Sequence, residues 1–565
     1  MNGDLLKNKV IELYRQKKTS EAIKLLDNAI SNHKNVDEAY FLKGIVLSQT
    51  KNYTEAIKLF LKSLSINKEN FETNFAIAGC FQELGNFTKA IEHYQYCTRI
   101  NPNKSQPFHF LGVCFKNIGN YKEALYHLNK SNKIYLNASS LTSLGNTYLE
   151  MGNFLEAKKY FKKAIAIDDT FVRAKISLIN VEVHLQQNDD AEKNINDLIT
   201  DKNSNQNFKN RATILLGILR MSSGNYKFAV DIFESVLKTD RDNIEAKFNL
   251  SLAYLFLKNF EIGWALHESR INMPINNMAL TRQTFKNLSK PKWDPSKPKR
   301  NILIWGEAGI GDQILYSQFL EIIKINFDNI IVAVTEKLIP FFQNIYPSLK
   351  IIDYKKINEF HNWDYHLPMG SLGIYFQKDI QKNTFKNKVD YKTNHLSLPE
   401  KLMKLRVGLS WKSKNNLIGD KKSIDLIQLK NLFSFHDIEF VNLQYSNEEE
   451  EITILENLLG KKIFLHHNND NYNNISGVAE IIDSCDLVVT VSNTNAHIAG
   501  KLGVKTFLLL PHSDGKLWYW GTQNDKDILW YPSVTPFRQA DNSNWSSCID
   551  NVVNEIKYML KIDTI

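Results

Sequence analysis

The sequence predicts a chain of class α plus α/β: an array of paired helices up to about residue 268, then an α/β region made of two halves of mostly parallel sheet. Three observations carry this reading. A short polar turn ending in alanine recurs through the first part at nearly constant spacing. After residue 300, apolar runs of strand length alternate with amphipathic helical runs. Residues 306–312, GEAGIGD, lie between the apolar run 302–305 and the helix-like stretch 313–324, so a buried strand, a turn with close backbone approach and a helix start follow one another.

The helical array comes first in the chain. The segments KNYTEA, GNFTKA, GNYKEA, GNFLEA and GNYKFA end on Ala56, Ala90, Ala124, Ala157 and Ala229, and Ala22 and Ala191 extend the ladder. A period of roughly 34 residues is similar to the tetratricopeptide repeat. Gly44, Gly112, Gly145 and Gly217 stand before the alanine in a constant register, and Phe60, Tyr94, Phe161 and Phe233 stand after it. The small residue lets the two helices of a repeat approach, and the aromatic fills the seam. Pro102 matches the proline that ends a repeat, while the register over 175–205 is degenerate and predicts an irregular or bent repeat there.

A stacked array exposes a concave groove, which reads as a protein-binding surface; the alternative is a dimerisation arm. The groove candidates are Phe41, Phe75 and His109. A row of groove asparagines, as in the nucleocytoplasmic N-acetylglucosaminyltransferase, is absent from that register, so its mode of peptide binding is not carried over. The array spans 1–268, and its last unit, NFEIGWALHESRI, has Gly263-Trp264 where the others have alanine. A linker follows at 269–300, where LSKPKWDPSKPKR suits an extended segment anchored by a tryptophan.

Composition sets bounds. With 565 residues the chain exceeds what one core supports, so several domains are expected. The net charge of +9 lies mostly on lysines of repeat faces, and no basic run is interleaved with aromatics, which argues against a nucleic-acid partner. Five cysteines without a CxxC pair read as buried free thiols of a reducing compartment. No segment has the apolar core of a signal peptide or the length of a transmembrane span, so the expected location is cytoplasmic.

In the α/β region, strands are predicted at 301–305, 330–335, 351–352 and within DYHLPMGSLG, then at 406–411, 439–444, 462–465, 486–491 and 505–510. Ligands bind outside the carboxyl ends of parallel strands, so residues just past each strand are the site candidates. The first is the glycine turn with Gly309, Gly311 and Asp312. Ser410, Trp411, Lys412 and Lys414 follow the first strand of the second half, and Gln444 follows the next. Ser492, Asn493, Thr494 and His497 follow the DLVVTV strand and open a helix. Hydroxyls, amides and that helix N-terminus suit a diphosphate without a metal, with Lys412 or Lys414 adding charge.

Each of these residues has another reading. Glu307 is an alternative base that reads better as a cap of the turn, His497 as a structural pin of the helix start, and Trp411 as core. Trp518 and Trp520 either stack on a base or sugar or pack against the cleft. His512 is a weaker donor-site candidate. The string Asp525-Lys-Asp527 lies away from a strand end and does not read as a metal site.

Residues 300–540 resemble the GT-B glycosyltransferases related to the heptosyltransferases, a family 9-like group, in the branch with N-terminal tetratricopeptide repeats. GEAGIGD, VGLSWKS, LQYS, SNTNAHIAGKLG with TFLLLP, and LWYPSVTPFRQ carry the resemblance. It implies two Rossmann-like domains, an acceptor-side one over 301–400 and a nucleotide-sugar donor one over 401–565. Asp312 matches the aspartate that activates the acceptor hydroxyl, and either Lys412 or Lys414 matches the lysine on the donor phosphate. Where the family commonly reads Asp-Thr, this chain has Ser492-Asn493, which removes a carboxylate beside the donor and favours a more anionic sugar.

The resemblance therefore implies an inverting, metal-independent transfer from a nucleotide sugar, with no cofactor. The acceptor is a protein hydroxyl held by the repeats, with bacterial flagellin and a nonulosonic or hexose-type donor as the guess from repeat-bearing flagellin glycosyltransferases. An envelope-glycan or lipopolysaccharide acceptor is the alternative within enzymes. The competing class is a repeat scaffold with an inactive transferase half.

Overall fold

The computed structural model describes residues 3–562 apart from 17, 33–35, 203, 274–287, 325, 382–390, 392–400, 415–417, 447, 466, 513–514 and 542–543. Its chain forms two compact units, Met1–Phe208 and Lys209–Ile565.

The first unit is a series of helical hairpins. Gly3–Arg15 pairs with Thr19–Ser31, Val36–Gln49 with Tyr53–Ile66, Phe71–Glu83 with Phe87–Ile100, Ser105–Asn117 with Tyr121–Ile134, and Ala138–Glu150 with Phe154–Ile167. The recurring GNF and GNY turns explain themselves locally. Gly85, Gly119 and Gly152 have φ of 75°, 79° and 77°, the left-handed step that ends a helix, and Lys51 and Gln186 make the same step at 63° and 58° despite a Cβ. The next residue caps the following helix: the side chains of Asn86, Asn120 and Asn153 accept from the backbone N–H of Lys89, Glu123 and Glu156. Inside each hairpin a Cβ on Gly44 would lie 2.5 Å from the Phe60 ring, and Gly145 meets Phe161 as closely.

The irregular repeat expected over 175–205 is instead a regular hairpin, Val172–His184 with Asn188–Thr200. The small-plus-aromatic pair is replaced there by two medium side chains, Ile179 and Ile195, both buried. Loss of the small-plus-aromatic pair hid the register. The groove candidates lie half-buried in such seams: the Phe41 ring is 5.8 Å from Phe60, Phe75 is 5.4 Å from Tyr94, and His109 sits edge-on at 5.1 Å from Phe110. Burial holds His109 down to about 4, so its ring is neutral.

In the second unit, the hairpins Gln206–Ser222 with Tyr226–Thr239 and Ile244–Phe256 with Phe260–His267 precede the sheets. A four-stranded parallel sheet has the order β3-β2-β1-β4, from β1 (Asn301–Trp305), β2 (Asn329–Val334), β3 (Lys350–Asp353) and β4 (Tyr365–Pro368). A six-stranded parallel sheet has the order β10-β9-β8-β5-β6-β7. Its strands are β5 (Leu405–Ser410), β6 (Ile438–Asn442), β7 (Phe464–Leu465), β8 (Leu487–Val491), β9 (Thr506–Leu510) and β10 (Val534–Arg538). β1, β5, β8 and β9 are mostly apolar and buried almost throughout, as strands covered on both faces must be, and the one charge among them, Arg406 of β5, is paired with Glu439.

The helix expected over 313–324 breaks into Ile310–Tyr316, a 3-10 turn Ser317–Phe319, and Leu320–Ile323. The last repeat hairpin is part of this core. Trp264, fully buried, lies 5.8 Å from Tyr316, 5.5 Å from Trp518 and 6.5 Å from Trp530, and any side chain at Gly373 would overlap its indole. In the connector, Trp293 is buried against Phe327 and Tyr375, and its N–H donates to the His366 carbonyl at 3.0 Å, so the expected tryptophan anchor is present. Residues 274–287 of the connector, and most of the segment between the two sheets, lie outside the described residues. No described helix is long and apolar enough to cross a membrane.

Candidate active site

The glycine turn begins where β1 ends. The Gly306 N–H still continues the ladder to Ala333 at 2.7 Å, then Ala308 takes a left-handed φ of 63° and the helix Ile310–Tyr316 starts. Asp312 sits in that helix's first turn and accepts from the Gly309 N–H at 3.2 Å, half of a capping box. The Tyr519 hydroxyl lies beside the same carboxylate and favours its charged form. Burial pushes the Asp312 carboxyl up to about 6; the Gly309 N–H and the Lys422 ammonium pull against it, and the charge of Glu307 adds to the rise. A carboxylate poised near neutrality is what a general base requires.

Glu307, the alternative base, is engaged elsewhere. Its carboxylate is buried and takes a fork from Arg270, with Nη2 2.5 Å from Oε1 and Nε 3.2 Å from both oxygens, and the Gly370 N–H donates to it at 3.2 Å. A carboxylate held by Arg270 in this way has its charge matched and reads as structural.

Opposite the turn, the carboxyl ends of β5, β6 and β8 meet in one polar net. Gln444 Oε1 accepts from the Ser410 hydroxyl at 3.2 Å and from the Trp411 and Lys412 backbone N–H groups at 3.0 Å each. Asn493 donates to Ser410 Oγ at 2.8 Å and to the Lys412 carbonyl at 3.2 Å, while its own Oδ1 caps the helix Thr494–Leu502 by accepting from Asn495. Ser492 Oγ accepts from the Trp520 indole at 2.9 Å. Thr494 alone of residues 492–497 is partly exposed.

His497 is buried beneath this helix start, 3.1 Å from the Tyr531 hydroxyl and packed 4.7 Å from the Trp520 ring. Burial, with the Lys422 charge, lowers it to about 3, so it is a neutral donor or acceptor. A Cβ on Gly311 would lie 2.8 Å from His497 Cδ2. The first sheet's glycine turn and the second sheet's helix start are thus in direct contact, which brings Asp312, Gly311 and His497 to one place.

The lysines divide differently from expectation. The Lys412 ammonium is held by Glu448 at 3.1 Å and, more closely, by Glu451, which also accepts from the buried Trp411 indole at 3.0 Å. Of the two candidate phosphate cations, Lys412 is thus held in ion pairs with two glutamates. Lys414 is exposed, and its backbone N–H donates to the Tyr445 hydroxyl at 2.9 Å. Lys422 is buried, interacts with both Asp312 and His497, and is lowered to about 8 by burial.

Sequence reasoning missed Lys422, Tyr519 and Arg270. Lys422 ends the short helix Gly419–Lys422, away from any strand end, and strand-end logic does not reach it. Tyr519 stands inside KLWYWG, where the tryptophans drew attention. Both tryptophans pack: Trp518 on Trp264 and Trp530, Trp520 on His497 and Tyr531.

Beside the net, a cavity of about 810 Å³ opens past β6 and β7, lined among others by Gln444, Tyr445, Glu448, Phe464, His467 and Asn471. His512 binds Gln539 through its N–H and ring. Asp525 pairs with Lys258 at 2.5 Å and takes the Thr522 N–H. Among the described residues, no three His, Cys, Asp or Glu side chains are grouped to hold a metal.

Comparison with known proteins places repeats in the helical region. Tetratricopeptide repeat models match residues 8–71 and 138–171, and the model of the anaphase-promoting complex, cyclosome, subunit 3 matches 49–131. The chain is similar to protein FlbA of Caulobacter vibrioides, 24% identical over 321 residues that make up 52% of each chain, so it spans about half the length of that curated relative. A tetratricopeptide repeat protein from Parabacteroides merdae is 17% identical, over 44% of this chain and 98% of that one, with a TM-score of 0.39. PilF of Pseudomonas aeruginosa is 18% identical, over 37% and 95%, with a TM-score of 0.31.

Proposed function

We propose that this tetratricopeptide-repeat chain is a glycosyltransferase of GT-B type, moving a sugar from a nucleotide-activated donor to a hydroxyl of a protein held by the repeats. The observation that carries the reading is the contact of the glycine turn with the start of the helix Thr494–Leu502, where a Cβ on Gly311 would lie 2.8 Å from His497, with Asp312 poised near neutrality in that turn and the charge of the buried Lys422 acting on both Asp312 and His497. In this reading Asp312 accepts a proton and Lys422 stabilises a leaving phosphate, beside the carboxyl ends of parallel strands.

In this reading the first sheet is the acceptor side and the second the donor side. The phosphate lies against the N-terminus of Thr494–Leu502, with the Lys422 charge and the Thr494 hydroxyl, and the nucleoside occupies the cavity beside Gln444 and His467. Asp312 takes the proton of the acceptor hydroxyl as its oxygen attacks the anomeric carbon. The bond to phosphate breaks with inversion, and its electron pair leaves on the nucleotide. Tyr519 and the Gly309 N–H hold the carboxylate in place. No step is assigned to a metal. A polypeptide acceptor, with flagellin as the specific candidate, rests on the repeats and on the resemblance to repeat-bearing flagellin glycosyltransferases.

The test is a panel of nucleotide sugars, scored for bound nucleotide and for transfer or hydrolysis by wild type and Asp312→Asn. Wild type is expected to bind and turn over one donor, and the variant to bind it without turnover. A wild type that binds no nucleotide sugar overturns the reading in favour of a repeat scaffold, and equal turnover by the variant overturns the assignment of the base.

A further inference from the structure

The last repeat hairpin ends in the 3-10 turn Glu268–Asn272, and Arg270 in that turn is almost wholly buried. Its guanidinium reaches three separate stretches of chain. Nε and Nη2 bind Glu307 of the glycine turn, Nη2 also donates to Ser371 Oγ at 3.0 Å, and Nη1 donates to Glu268 at 2.7 Å and to the His267 carbonyl at 3.1 Å. Ser371 donates in turn to Glu268 at 2.6 Å, and Lys292 of the connector pairs with Glu268. Two carboxylates and two cations close a neutral network. Gly370 completes it, because a Cβ there would lie 2.7 Å from Glu307 Oε1.

Glu307 is directly followed by Ala308, whose left-handed φ an alanine adopts only under constraint. Something must hold that backbone, and the Arg270 fork grips the residue just before it. Arg270 touches none of the groups assigned to donor or acceptor.

We propose that Arg270 is a positioning residue: by gripping Glu307 it fixes the GEAGIGD turn in the conformation that presents Asp312, so that the end of the repeat array is a working part of the site. The inference rests on the transferase reading for its effect on rate, and on geometry alone for its effect on the turn. A planar fork suits the bidentate carboxylate, and a lysine reproduces the charge but not the grip.

The experiment uses the full chain with Arg270→Gln, Arg270→Lys and the paired R270Q/E307Q, which leaves no buried charge unmatched. Hydrogen exchange of amides 306–316 is followed beside that of β8 and β9, together with kcat and donor affinity. For R270Q we expect exchange in 306–316 to rise at least tenfold with β8 and β9 unchanged, kcat to fall about a hundredfold and donor Kd to stay within twofold; R270K recovers part of the rate. Should R270Q fail to fold, the paired variant decides by the same exchange criterion. Unchanged exchange in 306–316, or exchange rising equally in β8 and β9 with loss of donor binding, overturns the proposal. A wild type without transfer removes the transferase reading, and the exchange comparison still decides whether Arg270 holds the turn.

Discussion

Replacing Asp312 by asparagine should inactivate the protein and stabilise it at once. The carboxyl rises from 3.8 to about 6 on folding, so the folded state holds its proton more tightly than the unfolded chain. Such a group adds stability that is fully present below the unfolded value and lost as pH rises through the folded one. Above pH 6 the ionised carboxylate therefore costs about 3 kcal/mol at 1.36 kcal/mol per pH unit. Asparagine keeps an oxygen for the Gly309 N–H and carries no charge to desolvate, so most of that cost disappears. At roughly 2.1 cal/mol/K per residue, the Lys209–Ile565 unit gains up to about 4 °C in Tm.

Differential scanning calorimetry of wild type and D312N at pH 8 and pH 4 reads this directly. The gain should be largest at pH 8 and mostly gone at pH 4; transfer should fall at least a hundredfold at pH 8 and by a smaller factor at pH 4, where the wild-type carboxyl already holds its proton. A variant less stable than wild type at pH 8, or a gain of equal size at both pH values, refutes the reasoning. Either result means that the carboxylate is better solvated or more strongly bound than its surroundings indicate.

The lysines give a paired prediction: Lys422→Met should lower kcat/KM roughly a hundredfold and remove an alkaline limb of the rate profile near pH 8, where that amine loses its charge. Lys412→Gln should leave kcat/KM within about threefold and lower Tm, since Glu448 and Glu451 lose their partner; the reverse pattern restores Lys412 as the phosphate cation. In the array, Gly44→Ala places a Cβ 2.5 Å from the Phe60 ring and should cost about 1–3 kcal/mol, read as a lower helical melt by circular dichroism.

The strands that were legible are those buried on both faces. β1, β8 and β9 read as nearly unbroken apolar runs ended by turn residues, β5 reads as one despite Arg406, and the residues past them converge as parallel topology requires. β10 was not predicted: VTPFR carries a proline and an arginine, which an edge strand accommodates and a central one does not. The break in the helix after the glycine turn was equally hidden. Tyr346 donates to the Ser317 carbonyl at 2.7 Å, and that carbonyl also takes the Leu320 N–H of the 3-10 turn, so a residue far along the chain is bonded at the break.

The site shows the same limit. Asp312, Gln444, Asn493 and His497 follow from local pattern, because each stands at a strand end or helix start. The occupation of Lys412 by Glu448 and Glu451, the approach of Lys422 and the grip of Arg270 on Glu307 join segments that only the tertiary fold brings together, and no periodicity encodes them.

The burial of Trp264 has a bearing on how the chain is made. Its hairpin is complete once the ribosome has passed residue 267, yet its ring partners Tyr316, Phe319, Trp518 and Trp530 come later, the last two near the far end of the chain. At about 5–20 residues per second, that indole face waits tens of seconds for its cover. Throughout that interval the nascent chain displays an apolar aromatic surface of the kind chaperones recognise, and the order of the sequence itself sets how long.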